Sequence, residues 1–298
     1  MLLKLSKPEM LLLKQLCAQT LTPGQLAKLL NLKKSFIARI LHSLSEKGLI
    51  LASKQGTAKQ IRLSPASHAQ NFKKLSDSRP DAKMELWLCS KAMDILILAS
   101  HSEGGINISL LQNEMNCSKP TMYKILNSLY SAGVAAKYGQ IIKITDPLLS
   151  KFSNSYADNI QLKLQKKASG HNTSIRIRKH VVLNSDAQEV PSFFSKTGIC
   201  ALAEAGLEAN ISSYKDFYFN LDAKKRNLSM EESFIHALLI STLAQHPDLP
   251  LLILFFAKNM RRLDIAFLKK LAKQYSVEAK FEELRQAAGY YEKLRDFE

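Results

Sequence analysis

Five polar side chains share one face, or the first turn, of a helix predicted at residues 33–47. Ammonium, guanidinium, hydroxyl and imidazole groups on an exposed helix can donate hydrogen bonds to base edges in the major groove of DNA, and flanking cations neutralise phosphates. The chemistry that this spacing predicts is therefore recognition of duplex DNA. The five residues are Lys33, Lys34, Ser35, Arg39 and His42.

The elements that must position this face begin at Thr22. Thr22 is a good N-cap and Pro23 suits the first helical position, which predicts a short helix to residue 30. After a turn, the longer helix carries its apolar residues on one side and ends at Gly48. These apolar residues are Ile37, Ile40, Leu41 and Leu44.

A basic hairpin follows the long helix. Residues 49–51 predict a strand, 53–59 a polar loop that carries Lys54 and Lys59, and 60–63 the returning strand. This order is that of a winged helix-turn-helix, whose wing would contact the DNA backbone. The alternative is a protein-interaction module of the same fold without nucleic-acid contacts.

The same pattern recurs 85 residues later, which predicts that one fold occurs twice. A helix at 8–19 opens the first copy. The polar segment 64–82 has some helical character around 68–75 and is interpreted as a linker. The second copy has predicted helices at 90–101, 109–116 and 119–132. Its short wing has strands at 134–137 and 140–144. The shift aligns Leu26 with Leu111, Leu30 with Met115, Leu32 with Cys117, Ile37 with Met122, Ile40 with Ile125, Leu41 with Leu126, Leu44 with Leu129 and Gly48 with Gly133.

The second long helix also presents a polar face, which is less basic than the first. Under the shift, Lys124 matches Arg39 and Asn127 matches His42. This face predicts a second DNA contact, and the alternative is a spacer or a dimer surface. Its residues are Lys119, Thr121, Tyr123, Lys124 and Asn127.

Asp146 and Pro147 begin a further helix, predicted to reach residue 167. Its apolar residues recur every fourth position, which indicates either a dimer seam or a packing strut. A hinge is expected at 168–173. The stripe consists of Leu148, Phe152, Tyr156, Ile160 and Leu164.

The last part of the chain mixes strands and helices. Residues 174–184 predict one strand or a hairpin, and 216–222 another strand. Predicted helices cover 197–206, 230–244, 248–259, 265–275 and 277–291. The expected fold class is α+β, mainly helical with small β wings. The expected domains are 1–75, 76–147, a linker helix at 148–170, and a regulatory or interaction domain at 171–298.

Charge is distributed unevenly along the chain. The formal net charge is +16, and residues 1–170 hold 24 Lys and Arg against 10 Asp and Glu, whereas residues 171–298 hold 18 against 16. This asymmetry is typical of a nucleic-acid-binding part joined to a regulatory part.

Composition argues against several other classes. The four cysteines show no CxxC spacing, so neither a zinc site nor a disulfide framework is expected, and no cofactor is predicted. The longest apolar run, at 249–257, is about half of what a membrane span needs. Without a signal-peptide core at the N-terminus, the cytoplasm is the expected location.

Three segments of the C-terminal part carry a resemblance. The tandem winged pattern resembles archaeal and bacterial multi-winged-helix regulators of the MarR-like kind. The segments at 193–207 (FFSKTGICALAEAGL), 216–222 (DFYFNLD) and 228–240 (LSMEESFIHALLI) resemble archaeal regulators related to AbiEi-type antitoxins. Those proteins are repressors that pair with a nucleotidyltransferase toxin, so the resemblance implies a repressor-like role.

The sequence favours a transcriptional regulator that binds double-stranded DNA with its recognition helix at 33–47 and its wing at 53–59. An alternative is a non-specific architectural or replication-associated DNA binder. A homodimer or a protein partner is expected to bind residues 171–298 through apolar area. Seven residues make this domain more aromatic and apolar than its size needs, although most of them are expected to be core. They are Phe193, Phe194, Ile199, Leu202, Phe217, Tyr218 and Phe219.

An enzyme is not expected, because the chain lacks the usual hydrolase, zinc-protease and Walker motifs. One arrangement imitates the Asp…Glu-x-Lys spacing of restriction-type nucleases, and it consists of Asp264, Glu278 and Lys280. These residues fall at a helix start and within a helix, whereas that chemistry needs adjacent strands. A nuclease is therefore the least favoured reading.

Overall fold

The computed structural model describes residues 3–55, 58–115, 117–208, 213–243 and 249–295. It is an α+β structure with 55% helix, 16% strand and small antiparallel sheets, which confirms the predicted α+β class. The chain forms two compact units, Met1–Lys163 and Leu164–Glu298.

The first unit begins with three helices and a hairpin. Capping boxes start two of these helices: Ser6 pairs with Glu9, and Thr22 pairs with Gln25, so backbone donors at each helix start find partners. Each of these two helices also has a proline in its first turn, and the fixed φ of proline favours the helical conformation. The elements are α1 (Lys7–Ala18), α2 (Pro23–Leu29), α3 (Lys34–Glu46), β1 (Ile50–Gln55) and β2 (Ala58–Leu63).

The apolar side of α3 is buried, as its spacing predicts. Gly48 follows with a φ of +71°, a left-handed conformation that lets the backbone N–H of Leu49 donate to the carbonyl of Leu44. The chain then enters β1, which pairs antiparallel with β2, and Leu21 adds one bridge to Ile61. The buried α3 residues are Ile37, Ile40, Leu41 and Leu44.

The predicted linker at 64–82 is wrong in part, because α4 (Ser67–Ser78) occupies most of it. Phe72 and Leu75 are fully buried. Some of the Ser, Lys and Asp residues that suggested a linker form the exposed side of this amphipathic helix. A short helix that the sequence did not predict, α5 (Glu85–Leu88), follows and buries Trp87.

A second set of elements repeats the first. Adding 85 to the bounds of α2 and α3 gives the bounds of α7 and α8 without any offset. The Leu21–Ile61 bridge has its counterpart in the pairing of Ile106 with Ile142, and Gly133 repeats the left-handed φ of Gly48 at +68°. The elements are α6 (Lys91–Ser100), β3 (Ile106–Asn107), α7 (Ile108–Glu114), α8 (Lys119–Ser131), β4 (Ala135–Tyr138) and β5 (Ile141–Ile144). We call Lys7–Leu63 the first repeat and Lys91–Ile144 the second repeat.

The helix α9 (Pro147–Gln165) packs inside the chain instead of presenting a seam. Phe152 and Tyr156 are fully buried, and the ring of Phe152 lies 5.5 Å from that of Phe72 on α4. The packing-strut alternative is therefore the one found, because four of the five stripe residues are fully buried and Leu148 is half-buried. Within the predicted hinge, Ala168 is buried and residues 169–171 are exposed, although a Cβ at Gly170 would lie 2.3 Å from Asp186 Oδ1.

The second unit contains a four-stranded antiparallel sheet. Both sheet faces are covered, which explains the continuous apolar run of the central strands. Val182 lies on the face that meets the helical core, whereas Phe219 packs at 4.8 Å against Phe194. The strands are β6 (Asn172–Ile177), β7 (His180–Ser185), β8 (Ser195–Lys196) and β9 (Lys215–Asn220), in the order β6-β7-β9-β8.

Five helices complete the second unit. The predicted capping box of Ser229 and Glu232 is confirmed by reciprocal hydrogen bonds, and Asp264 accepts from the backbone N–H of Phe267. The helices are α10 (Gly198–Glu204), α11 (Met230–Leu243), α12 (Leu249–Asn259), α13 (Ile265–Gln274) and α14 (Glu278–Arg295). The predicted end points at Asn116, Ala244 and Asp248 and the wing residues Gly56 and Thr57 lie outside the described residues.

Among the described residues, no helix is both long and apolar enough to cross a membrane.

Candidate nucleic-acid interface

The predicted polar face of α3 is exposed along its length. Lys33, Lys34 and Arg39 form no ion pair with any described residue, so their charges remain available to an anion. The Arg39 guanidinium lies 5.4 Å from the centre of the Phe36 ring one turn earlier, a cation–π contact that orients the fork. Ser35 and His42 are exposed on the same helix.

The hairpin extends this surface. Side chains alternate between the two faces of a strand, so Lys54 and Lys59 share the sheet face of Ile50 and Ile61, the face towards α3. Lys59 and His42 line one groove of about 230 Å³ between the helix and the sheet. The structure therefore brings the predicted helix residues and wing residues together.

Lys54 and Lys59 lie directly opposite each other across β1 and β2. Both side chains are exposed, and neither forms an ion pair within the described part of the chain. Two like charges directly opposite on an antiparallel pair destabilise the pairing. A phosphate placed between them would offset that repulsion, so the arrangement has electrostatic complementarity to an anionic backbone.

Sequence reasoning missed Lys28 on the same surface. Lys28 lies at the end of α2 and lines a groove with Lys33 and Lys34, because the turn at Asn31 folds α2 back beside the start of α3. Asn31 adopts a φ of +51°, a conformation that asparagine tolerates better than most residues. The sequence did contain a signal for Lys28, because this residue lies only a short distance along the chain from the turn.

The C-terminal end of α3 is held from two sides. Lys47 Nζ lies 2.5 Å from Glu9 Oε1, and both side chains are almost completely buried. Burial lowers the pKa of Lys47, whereas for Glu9 the raising effect of burial is outweighed by hydrogen bonds from Lys47 and Ser43, which leave its pKa below its ordinary value. The Asn159 amide also donates to the Lys47 carbonyl at 2.8 Å. Lys47 therefore positions α3 and is not itself available to DNA.

The second repeat presents a different surface. All five predicted residues of α8 are exposed, and Lys119 and Lys124 form no ion pair with described residues. Ser118 and Thr121 are joined by a hydrogen bond of 2.9 Å between their hydroxyls. Asn127 and Tyr123, whose side chain is 44% exposed, share a stripe with Lys119. These five residues lie on the second repeat, and the other seven predicted residues lie on the first.

The trio that imitated a nuclease is held on helices. Asp264 caps α13, Glu278 begins α14, and the Lys280 ammonium pairs with Glu283 at 3.0 Å. Among the described residues, no group of three His, Cys, Asp or Glu side chains is placed to hold a metal ion.

The seven histidines do not cluster in sequence, yet two of them meet at Tyr218 in the second unit. His180 Nδ1 lies 2.7 Å from the Tyr218 hydroxyl, and the His236 ring stacks on the Tyr218 ring at 5.2 Å. Arg226 donates to the same hydroxyl at 3.0 Å and to Glu232 at 2.7 Å. This network lies between the sheet and the helices, and it gives the buried Tyr218 hydroxyl two hydrogen-bond partners.

The aromatic residues expected to contact a partner are mostly core residues. Phe217, Tyr218 and Phe219 are buried in β9, and Phe194 and Leu202 are buried beside them, while Phe193 and Ile199 are half-buried. The expectation that most of this set is core is therefore confirmed, because both faces of the sheet are covered by the chain itself, and a partner of this part of the chain stays a prediction.

A scan of the sequence against models of known protein families finds no match, and a search among curated proteins finds none either.

Proposed function

We propose that the chain is a DNA-binding regulator of transcription that acts as a repressor. In this proposal the first repeat is a winged helix-turn-helix, with α3 as the recognition helix and the β1–β2 hairpin as its wing. The observation that carries the proposal is the surface of seven exposed polar side chains on α3 and the hairpin. On it, Lys54 and Lys59 oppose each other with no described carboxylate beside them.

The chemistry of this surface suits DNA more closely than it suits an acidic protein. Lys28, Lys33 and Lys34 stand at one end of α3, and Lys54 and Lys59 stand on the hairpin, so cations flank the helix on two sides. Between them, Ser35, Arg39 and His42 offer hydrogen bonds with more directional preference than a lysine has. Cations at the margins and directional donors in the middle match the division between phosphate contacts and base contacts.

Lys54 and Lys59 provide a test that separates binding from folding. Lys54→Ala removes like-charge repulsion from the hairpin, so the free energy of unfolding should stay equal or rise, while affinity for every duplex should fall. Fluorescence anisotropy with a labelled duplex and urea unfolding of the same variant measure the two quantities. The matched control is Lys225→Ala, an exposed lysine of the second unit, which should change neither. Unchanged duplex affinity of the Lys54→Ala variant would contradict the proposed wing.

A second candidate function is a non-specific architectural or replication-associated DNA binder. Lysines alone would suffice for that role, whereas Arg39 and His42 add groups that distinguish base edges. The presence of these two side chains in the middle of the exposed face favours the regulator.

We extend the proposal to the second unit, which would bind a protein partner or a second copy of the chain. Its residues 171–298 are close to neutral, with 18 Lys and Arg against 16 Asp and Glu, so such a contact would rest on apolar area and resist salt. The resemblance to MarR-like and AbiEi-type regulators agrees with this layout. Light scattering of the full chain in about 0.5 M salt tests this proposal, because salt at that concentration screens long-range charge interactions. A chain that stays monomeric and binds no other protein at this salt concentration would contradict the proposed contact.

A further inference from the structure

The second repeat has an open groove that the proposed recognition face does not use. It lies between the β4–β5 hairpin, the loop after α6 and the first turns of α9, and its volume is about 970 Å³. Tyr138, Lys143 and Lys151 line it together, although they come from three different elements.

The lining combines one exposed ring with two available cations. Tyr138 is 61% exposed, more than a tyrosine that belongs to a core would be, and Ile141 beside it is only half-buried. Lys143 and Lys151 are exposed and form no ion pair with described residues. Glu103 is the acidic residue among the lining side chains, so cations outnumber it.

The first repeat has no aromatic ring at the position of Tyr138. The shift of 85 that relates β1 to β4 places Ser53 there. Lys143 does have a cationic counterpart, because the pairing of Leu51 with Arg62 corresponds to that of Ala136 with Lys143. The ring is thus specific to the second repeat. The repeats also differ in charge, because the first holds 10 Lys and Arg against 2 acidic residues and the second holds 5 against 3.

We propose that this groove binds an unpaired stretch of a DNA strand next to the duplex held by the first repeat. A base would stack on the Tyr138 ring, and adjacent phosphates would pair with Lys143 and Lys151. An aromatic platform in a cationic groove is the usual means of binding single strands without base readout, since every base has a face to stack. The inference rests on the proposed function for its duplex part.

A single DNA strand fits this groove better than a free nucleotide does. The groove is open, and its cations are lysine ammoniums on flexible stems, which follow successive phosphates without fixed geometry. A free nucleotide generally relies on backbone N–H groups that cradle its phosphates. The weak net charge of the second repeat also means that stacking, more than phosphate attraction, must hold the strand.

The test compares two DNA probes with the full chain. One probe is a blunt duplex, and the other is the same duplex with a single-stranded extension of about six thymidines, within the site sizes usual for single-strand binders. The extension should raise the affinity of the unchanged chain roughly fivefold or more, the gain expected from one stacked base. Tyr138→Leu should abolish that gain and leave blunt-duplex affinity unchanged, whereas Tyr138→Phe, which keeps the ring, should retain it.

Further variants and controls separate the groove from the rest of the surface. Replacing Lys143 and Lys151 together by glutamine should reduce the gain by less than Tyr138→Leu does, because stacking is the larger contribution. Tyr290→Leu, at a tyrosine of the second unit that is 69% exposed, should change neither affinity. Circular dichroism checks that the variants fold.

Three outcomes would overturn the inference. They are equal affinity of the unchanged chain for both probes, a gain that survives Tyr138→Leu, and a gain that free thymidine monophosphate at equal nucleotide concentration removes. Absence of blunt-duplex binding with a retained single-strand effect would instead contradict the proposed function, so the two failures are distinguishable.

Discussion

Lys47, at the end of the proposed recognition helix, forms a buried ion pair with Glu9 in the first turn of α1, with 2.5 Å between Nζ and Oε1. Glu9 also accepts from the backbone N–H of Ser6, so one carboxylate both caps α1 and fixes the end of α3. The orientation of the exposed face of α3 therefore depends on two residues that are buried away from that face.

Removing one partner of this pair should be costly. Glu9→Gln leaves the Lys47 ammonium buried without its counter-charge, and we expect a loss of about 3–5 kcal/mol in the free energy of unfolding. The double variant Glu9→Leu with Lys47→Met, which buries no charge, should recover most of that loss. Urea unfolding of the three proteins measures it. A Glu9→Gln protein as stable as the unchanged chain would show that the pair does not hold α3.

Much of the first unit is predictable because its signals are local. Thr22, Pro23 and Gly48 fix the helix ends through their own backbone preferences, and the same spacing 85 residues later locates the second repeat. The partnership of Glu9 with Lys47 was not predictable, since 38 residues separate them and no local signal links the two. The groove beside Tyr138 escaped notice for the same reason, because its lining comes from three elements.

The predicted linker and the apparent surplus of aromatic residues in β9 have a related physical reason. A helix with one buried face, such as α4, looks linker-like when its exposed side is rich in Ser, Lys and Asp. The aromatic residues of β9 looked surplus because the sequence does not reveal that a sheet is covered on both faces, here by Phe193 and Phe194 on one side and by helices on the other.

Arg39 should read sequence, in contrast to the lysines around it. Arg39→Ala should cost about 1–3 kcal/mol of binding to a preferred site and loosen preference at one base pair, if the guanidinium forks onto a guanine. Arg39→Lys keeps the charge but cannot form the fork, so it should lose preference too. Anisotropy on preferred and scrambled duplexes measures both variants. A uniform loss on both duplexes would mean that Arg39 contacts only phosphate.

The second unit should lose stability in acid through His236. Burial, together with the nearby His180 and Arg226, lowers the pKa of His236 from 6.5 to about 3. The folded state therefore binds fewer protons than the unfolded state between these values. Stability is complete above pH 6.5 and falls as the pH drops towards 3, by roughly 1.4 kcal/mol for each pH unit.

Urea unfolding at several pH values tests this dependence. His236→Gln should flatten the slope between pH 6.5 and 4.5, and His42→Gln, at an exposed histidine of the first unit, serves as the control. An identical slope in the unchanged chain and in the His236→Gln variant would show that other groups cause the acid sensitivity.

The charge asymmetry predicts which part of the chain holds DNA. A fragment of residues 1–170, which includes all of α9, should bind duplex DNA, and residues 171–298 should not. Each phosphate neutralised should add about −0.9 to the slope of log K against log salt. Gel shifts with the two fragments, at several salt concentrations, give both results. Equal binding by the two fragments would contradict the assignment of DNA binding to the first unit.

The central claim is that the exposed face of α3 recognises a DNA sequence, and selection of binding sites from random duplex DNA tests it most directly. The full chain should enrich a defined motif, and the Arg39→Ala variant should enrich one that is relaxed at a single base pair. Recovery of DNA whose composition equals that of the starting library would contradict sequence recognition and would favour the architectural alternative.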